Sequence, residues 1–282
     1  MWSLSGWSTT WREQSSASAK VTYPTTLLST SALEADQLPL PLDHKRSAVT
    51  RRAVAEGLGT FFLVLIGPGA IMVNAYSGGI VTHVGVALAF AFVVLAMIYA
   101  LGHLSGAHIN PAVTLAFWFV RRFPTDEVLP YVAAQCAGAV LASLLSRAAL
   151  GTVGAVGATL PRVPLVAAFG VEWLLSFALM FVIMAVATDE RVPDGFAAIA
   201  VGLTVGFCAM VGGPLTGASM NPARSLGPAV VGGFWQGHWV YWVAPITGMV
   251  AAAAAYDYLR HTRPSEAVVP AAPLGIEGPI ST

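Results

Sequence analysis

This chain has few charged residues. Only 10% of its 282 residues are charged, whereas 56% are hydrophobic and the mean hydropathy is +0.71. Soluble domains carry roughly 25% charged residues, so this chain has too few polar groups to cover a globular surface. The formal net charge is zero, which gives no reason to expect a nucleic-acid partner. The shortage favours a protein embedded in a lipid bilayer.

Cysteines and catalytic groupings are also scarce. The two cysteines, Cys136 and Cys208, lie inside apolar segments without the spacing of a metal or redox site. His103 and His108 are not spaced as a convincing metal pair, and no paired acids or serine–histidine grouping indicates catalysis. We therefore expect no metal, no cofactor and no enzymatic activity.

The two ends of the chain are more polar than its middle. Residues 1–50 are rich in serine and threonine and lack the apolar core of a signal peptide. Residues 262–282 are rich in proline and small residues. Because such segments bury too little apolar surface to fold, we predict disordered ends around a membrane domain at 51–261.

Six segments of this domain are long and apolar enough to cross about 30 Å of hydrocarbon. They are 53–74, 81–101, 128–146, 165–187, 195–212 and 239–259. The fold class predicted from them is an all-α membrane protein.

Two further apolar pieces, 110–120 and 221–231, are too short to cross. Each begins with an Asn-Pro-Ala box, in which asparagine can cap a helix and proline suits the first helical position. The first box is Asn110, Pro111 and Ala112, and the second is Asn221, Pro222 and Ala223. Short helices at membrane depth indicate re-entrant loops, which are tolerated only when buried in protein or lining a wet cavity.

An internal repeat relates the two boxes. Residues 104–112 read Leu-Ser-Gly-Ala-His-Ile-Asn-Pro-Ala and residues 215–223 read Leu-Thr-Gly-Ala-Ser-Met-Asn-Pro-Ala, a shift of 111 (221 − 110). Each half, 51–150 and 165–261, has three spans, so the second half must enter the membrane in the opposite orientation. Inverted repeats place their functional site near the midplane, where discontinuous helices meet.

Basic residues predict the orientation in the membrane. They precede the first span and follow the first short helix, the fourth span and the sixth span, at Lys45, Arg46, Arg51, Arg52, Arg121, Arg122, Arg191, Arg260 and Arg263. The positive-inside rule then places both termini in the cytoplasm. Arg147 and Arg162 fall on the outer side and are exceptions.

The boxes suggest how small molecules would be selected at the midplane. Two helix N-termini facing each other would favour water oxygens and oppose cations. Side-chain amides of Asn110 and Asn221 would donate to a passing water and interrupt a chain of protons. Carbonyls of the residues before each box would act as acceptors, namely those of Gly106, Ala107, His108, Gly217, Ala218 and Ser219.

On these boxes the chain resembles an aquaporin of the major intrinsic protein family, over about residues 53–260. The resemblance rests on 102–114, on 213–229, and on Glu56 and Glu172; the second stretch is most similar to plant intracellular and vacuolar-type members. It implies six tilted helices and two half-helices, assembled as a homotetramer with one pore per subunit. A passive channel for water and small uncharged solutes, excluding protons and ions, would then lie in a plasma (inner) membrane.

The resemblance also implies an outer selectivity filter of Phe90, Ala209, Ala218 and Arg224. Arg224 breaks the repeat, since its counterpart is Val113, and a charge at membrane depth is by default functional. Strict water channels have histidine at the position of Ala209, so we expect a wider and less polar filter. It would admit glycerol, urea, ammonia or undissociated metalloid acids.

Other residues leave the solute open, because Ser225, Ala229, Tyr241 and Trp242 resemble the branch of water channels. Two isolated acids, Glu56 and Glu172, are expected by resemblance to accept hydrogen bonds from the re-entrant loops, with proton relay as the alternative. His103, just before the first loop, is a candidate for the cytoplasmic mouth.

A secondary transporter is the alternative function, because such proteins also use inverted repeats and broken helices. It would require ionisable groups at the midplane to bind a coupling ion. The candidates are Glu56, Glu172 and Arg224, and their positions suit a static pore better.

Overall fold

The computed structural model describes residues 42–188, 192–193 and 195–261, and within them it contains eight α-helices, one short 3-10 helix and no strand. The helices are α1 (Leu42–Tyr76), α2 (Thr82–Ser105), α3 (Pro111–Phe119), α4 (Thr125–Leu150), the 3-10 helix Val153–Gly157, α5 (Leu165–Ala187), α6 (Phe196–Thr216), α7 (Pro222–Gly232) and α8 (Val240–His261). Residues 1–41 and 262–282, with Arg191 and Arg263, lie outside the described residues, so the disorder of both ends stays a prediction.

The six long helices follow the predicted order of spans. Five of them, α1, α2, α4, α5 and α6, are long and apolar enough to cross a membrane. The sixth, α8, ends in the more polar sequence Tyr-Asp-Tyr-Leu-Arg at 256–260. The bounds of α5 agree with the prediction, whereas α1 begins earlier and takes in 42–50, which we expected in the disordered end. Helical hydrogen bonds continue past the apolar stretch that a sequence pattern detects.

The predicted fifth span, 195–212, ends before the helix does. Helix α6 instead runs through Pro214 to Thr216. A proline cannot donate to the carbonyl four residues before it, here that of Met210. His83 Nε2, on α2, lies 2.7 Å from that carbonyl oxygen and supplies the missing bond. A Cβ atom at residue 213 would lie 2.7 Å from the imidazole, so Gly213 leaves the room that His83 needs.

The two halves pack by equivalent contacts. A Cβ atom at Gly138 would lie 2.1 Å from the Gly57 carbonyl oxygen, so α1 and α4 touch at their backbones. A Cβ atom at Gly248 would lie 2.5 Å from the Trp173 carbonyl oxygen, which brings α5 and α8 equally close. Each half-helix also crosses to the other half, because α3 packs on α8 and α7 packs on α4. Small residues allow such close approach in membrane proteins.

Arg147, one of the exceptions to the charge rule, has a local partner. Its guanidinium Nη1 donates to the carbonyl of Val231 in the last turn of α7. A basic group at a helix C-terminus satisfies an unpaired carbonyl and complements the helix dipole. A basic residue at this end of α4 is therefore explained by packing against the half-helix.

Candidate functional site

Each Asn-Pro-Ala box begins a half-helix and caps it. Asn110 is extended, with φ −159° and ψ 120°, and its Oδ1 accepts from the Ala112 N–H at 2.9 Å. Asn221 Oδ1 accepts from the N–H groups of Ala223 at 3.0 Å and Arg224 at 3.2 Å. The following prolines occupy the first helical position, where no donor is needed.

The two boxes are also bonded to each other. Asn110 Nδ2 donates to the Met220 carbonyl at 2.8 Å, and Asn221 Nδ2 donates to the Ile109 carbonyl at 2.9 Å. An amide nitrogen carries two hydrogens, so each asparagine retains one N–H beyond this cross-bond. The half-helices therefore meet head to head through a reciprocal pair of hydrogen bonds.

The loops before the boxes adopt one unusual backbone conformation twice. Positive φ angles occur at Gly106 (86°), Ala107 (45°) and Ile109 (44°), and at Gly217 (90°), Ala218 (44°) and Met220 (52°). These positions are related by the 111-residue shift. Left-handed backbone is costly for residues other than glycine, most of all for a β-branched one. Such loops need strong external support.

Glu56 supports the first loop. Its Oε1 accepts from Ser105 Oγ at 2.7 Å and from the His108 N–H at 2.9 Å. Its Oε2 accepts from the Ile109 N–H at 2.6 Å and from Gln135 Nε2 at 2.8 Å. A carboxylate that accepts four hydrogen bonds can remain buried without a cationic partner.

Glu172 supports the second loop in the same way. Its Oε1 accepts from Thr216 Oγ1 at 2.6 Å and from the Ser219 N–H at 2.9 Å, while Oε2 accepts from the Met220 N–H at 2.9 Å. Both glutamates have 0% of their surface exposed, and neither lines the cavity described next. This placement favours a supporting role over proton relay.

A cavity of about 410 Å³ runs between the two halves and past both boxes. The predicted site residues that line it are Phe90, Gly106, Ala107, His108, Asn110, Ala209, Ala218, Ser219, Asn221 and Arg224. Gly217 does not line it. His103 is also absent from the lining and is exposed, because α2 continues to Ser105. A place at the cytoplasmic mouth stays a prediction for His103.

Arg224 is a cation of the cavity wall, which Arg122 also lines. It is 1% exposed, and its Nη1 donates to the Gly157 carbonyl at 2.8 Å. Its Cζ lies 5.1 Å from the centre of the Phe90 ring, a cation–π contact. Nε and Nη2 have no hydrogen-bond partner in the described part of the chain. A buried donor without a partner is costly, so these groups are suited to bind a passing solute.

Sequence reasoning considered only the carbonyl of His108 and missed its side chain. The imidazole lies 5.1 Å from the ring of Phe117, 4.9 Å from Phe123 and 5.5 Å from Tyr131, measured between centroids. Its Nδ1 is 3.1 Å from Thr114 Oγ1. The signal in the sequence was its asymmetry, because the repeat places a serine at the equivalent position, 219.

Comparisons with known proteins agree with this architecture. The family model "Major intrinsic protein" matches residues 43–256. The chain belongs to the major intrinsic protein family. Nodulin-26 of Glycine max is 44% identical, covering 75% of this chain and 79% of its own. Aquaporin NIP1-1 of Oryza sativa subsp. japonica is 46% identical, covering 75% of each chain. The aquaglyceroporin structure from Plasmodium falciparum superimposes with a TM-score of 0.65 at 26% identity, covering 75% of this chain and 97% of that one.

As a member of this family, the protein is a multi-pass integral membrane channel for water and small solutes, with the aquaporin fold. The family comprises transporters rather than enzymes. The relatives give no support to a secondary transporter.

Proposed function

We propose that this channel passes water together with small uncharged solutes of the size of glycerol, urea, ammonia or undissociated metalloid acids. The filter is formed by Phe90, Ala209, Ala218 and Arg224. The observation that carries the proposal is the small methyl group of Ala209 in the cavity wall that also contains Arg224. Compared with the histidine of strict water channels, a methyl group leaves a wider passage and offers the solute no hydrogen bond.

The filter residues divide into one polar and one apolar side. Arg224 presents two free donor groups, Nε and Nη2, whereas Phe90, Ala209 and Ala218 present only carbon atoms. A polyol or an undissociated acid can bond the guanidinium and keep its carbon side against these residues. Water would lose hydrogen bonds at the apolar side without gaining replacements.

The residues that resemble the branch of water channels have structural contacts instead. Ser225 Oγ accepts from Thr159 Oγ1 at 2.8 Å and bonds the Ser219 hydroxyl. Tyr241 donates from its hydroxyl to the Thr216 carbonyl at 2.7 Å. Neither Ser225 nor Tyr241 lines the cavity. Their resemblance to water channels therefore reflects how the loops pack. The solute range is better inferred from the filter residues, which line the cavity.

Ions and protons are excluded by the same elements. Two half-helix N-termini and the Arg224 charge oppose cations, and the remaining N–H groups of Asn110 and Asn221 orient water oxygens. The carbonyls of Gly106, Ala107, His108 and Ser219 act as acceptors along the pathway.

The assembly in the membrane is part of the proposal. A homotetramer in the plasma (inner) membrane has both termini in the cytoplasm, as the distribution of basic residues predicts. Exposed apolar side chains on α2 and α6, such as Phe92 and Leu203, provide surfaces for lipid or for a neighbouring copy. Cross-linking in native membranes and protease access to the termini test these two points.

The test of the solute range is stopped-flow light scattering on proteoliposomes. Wild type should conduct water and glycerol with a low activation energy. Ala209→His should keep water and lose glycerol. Ala209→Leu is the matched variant, because it narrows the filter without adding a hydrogen-bonding group, and it should reduce both fluxes. Wild type that passes water alone would show that the assignment of Ala209 is wrong.

A further inference from the structure

The internal repeat has a consequence for the four filter residues. Moving each by 111 residues gives Val201 for Phe90, Ile98 for Ala209, Ala107 for Ala218 and Val113 for Arg224. All four equivalents line the same cavity as the filter. We propose that Ile98, Ala107, Val113 and Val201 form a second constriction, the inner collar, which selects solutes by their cost of dehydration. This inference extends the proposed function, since it assumes that solutes pass along this cavity.

The two constrictions are separated along α2 and α6. Gly213 lies beside His83, and Gly202 lies beside Ala91 and Leu95, so the two helices run antiparallel. Eight residues separate the filter and collar positions on each helix (98 − 90 and 209 − 201). Eight residues correspond to about 12 Å along a helix. The loop before the first asparagine box contributes Ala107 to the collar, and the loop before the second box contributes Ala218 to the filter.

The chemistry of the inner collar differs from that of the filter. Its four side chains contain only carbon, and Val113 stands where the repeat has Arg224. His108, next to Ala107, also lines the cavity, so the polar groups beside the collar are those of His108 and the carbonyls of the first loop. Apolar constrictions control permeation through dewetting. Solutes with an apolar side should therefore cross the collar at lower cost than water.

The cavity wall supplies a matched control. Val94 and Val205 also line the cavity and are equivalent to each other under the repeat (205 − 94 = 111). They lie one helical turn from the collar positions on their helices, toward the filter. Val201 and Val205 are both buried, 7% and 8% exposed, so a substitution at either site meets similar packing.

The experiment compares Val201→Thr with Val205→Thr in proteoliposomes, at equal amounts of reconstituted protein. Threonine has nearly the shape of valine and adds one hydroxyl. Val201→Thr should raise water permeability by about two- to tenfold, the range given by one ordinary hydrogen bond, and lower the ratio of glycerol to water flux. Val205→Thr should change either flux less than twofold. Equal effects of the two variants, or no effect of Val201→Thr, would overturn the inner collar.

Two further variants, Ile98→Ala and Ala209→His, distinguish failure of the inner collar from failure of the filter. Ile98→Ala removes volume at the collar and should raise both fluxes, whereas unchanged fluxes would contradict the proposal. If Ala209→His leaves glycerol flux unchanged while Val201→Thr alters water flux, the filter assignment fails and the inner collar stands. If Ala209→His blocks glycerol while Val201→Thr is silent, the collar alone fails.

Discussion

The two halves of the channel share their supports and differ in their lining. Glu56 and Glu172 each accept backbone N–H groups of a re-entrant loop. A tyrosine hydroxyl holds the last helical carbonyl before each loop, Tyr131 to Ser105 at 2.9 Å and Tyr241 to Thr216 at 2.7 Å. These residues do not line the cavity, and their contacts are nearly symmetric.

The differences between the halves are concentrated on the cavity. Val113 faces it in the first half and Arg224 in the second, and the same is true of His108 and Ser219. Symmetric contacts therefore hold two strained loops in place, whereas the proposed function assigns the choice of solute to the asymmetric side chains. Substitutions can test this division by breaking a support or by making the linings alike.

The largest effect is expected from breaking a support. Glu172→Gln places an amide nitrogen or a weaker acceptor against the N–H groups of Ser219 and Met220. Each buried N–H left without an acceptor costs about 1–3 kcal/mol. We expect a lower melting temperature in detergent and loss of water flux.

The same substitution can be made in the first half of the channel. Glu56→Gln should produce a loss of similar size, because Glu56 makes equivalent bonds. Gln135 also donates to Glu56, and its amide can turn to offer oxygen, which should make the loss somewhat smaller. An intact channel after either change would contradict the supporting role.

Making the linings of the two halves alike should affect folding less than the loss of a supporting glutamate does. It should affect selectivity more. Arg224→Val gives the second half the residue of the first and removes the charge that opposes cations. A barrier lowered by about 1.4 kcal/mol raises a rate tenfold, so proton or cation leak should increase on the order of tenfold. A pH-sensitive dye inside vesicles measures this leak. Arg224→Lys, which keeps the charge, should leak less than Arg224→Val.

The smallest effect is expected at the contact between α2 and α6. His83→Ala removes the donor to the Met210 carbonyl, which Pro214 leaves without a helical partner. The loss of one such bond costs about 1 kcal/mol, measured as a lower melting temperature with water flux largely retained. His83→Gln, which can still donate, should recover part of the stability. Equal melting temperatures for all three proteins would show that the bond contributes nothing.

Much of the fold follows from local signals in the sequence. The order of the long helices follows from the length of the apolar segments, and the starts of the half-helices follow from asparagine caps and proline. Helix ends were less predictable, because helical hydrogen bonds continue through the polar residues 42–50, and because the bond that Pro214 cannot make is replaced by one from another helix. His83 lies far from Pro214 in sequence and could not be identified as its partner.

The site was predictable in its residues more than in its contacts. The resemblance implied a filter with Phe90, Ala209 and Arg224, and the structure has these residues on the cavity. The cross-bonds between the boxes depend on the meeting of two halves. The aromatic rings around His108 come from α3, from the connection after it and from α4. The inner collar follows from the repeat only when the side chains that line the cavity are also known.

The reciprocal bonds between the boxes make the centre of the channel a fixed bridge. Asn110 holds the backbone of the second loop and Asn221 holds that of the first, so each half holds the other where the two loops meet. Moving one half-helix away would break both bonds together. Any regulated closure of this channel is therefore expected at its mouths, where single loops can move, and not at the bridge, where the two halves can move only as one.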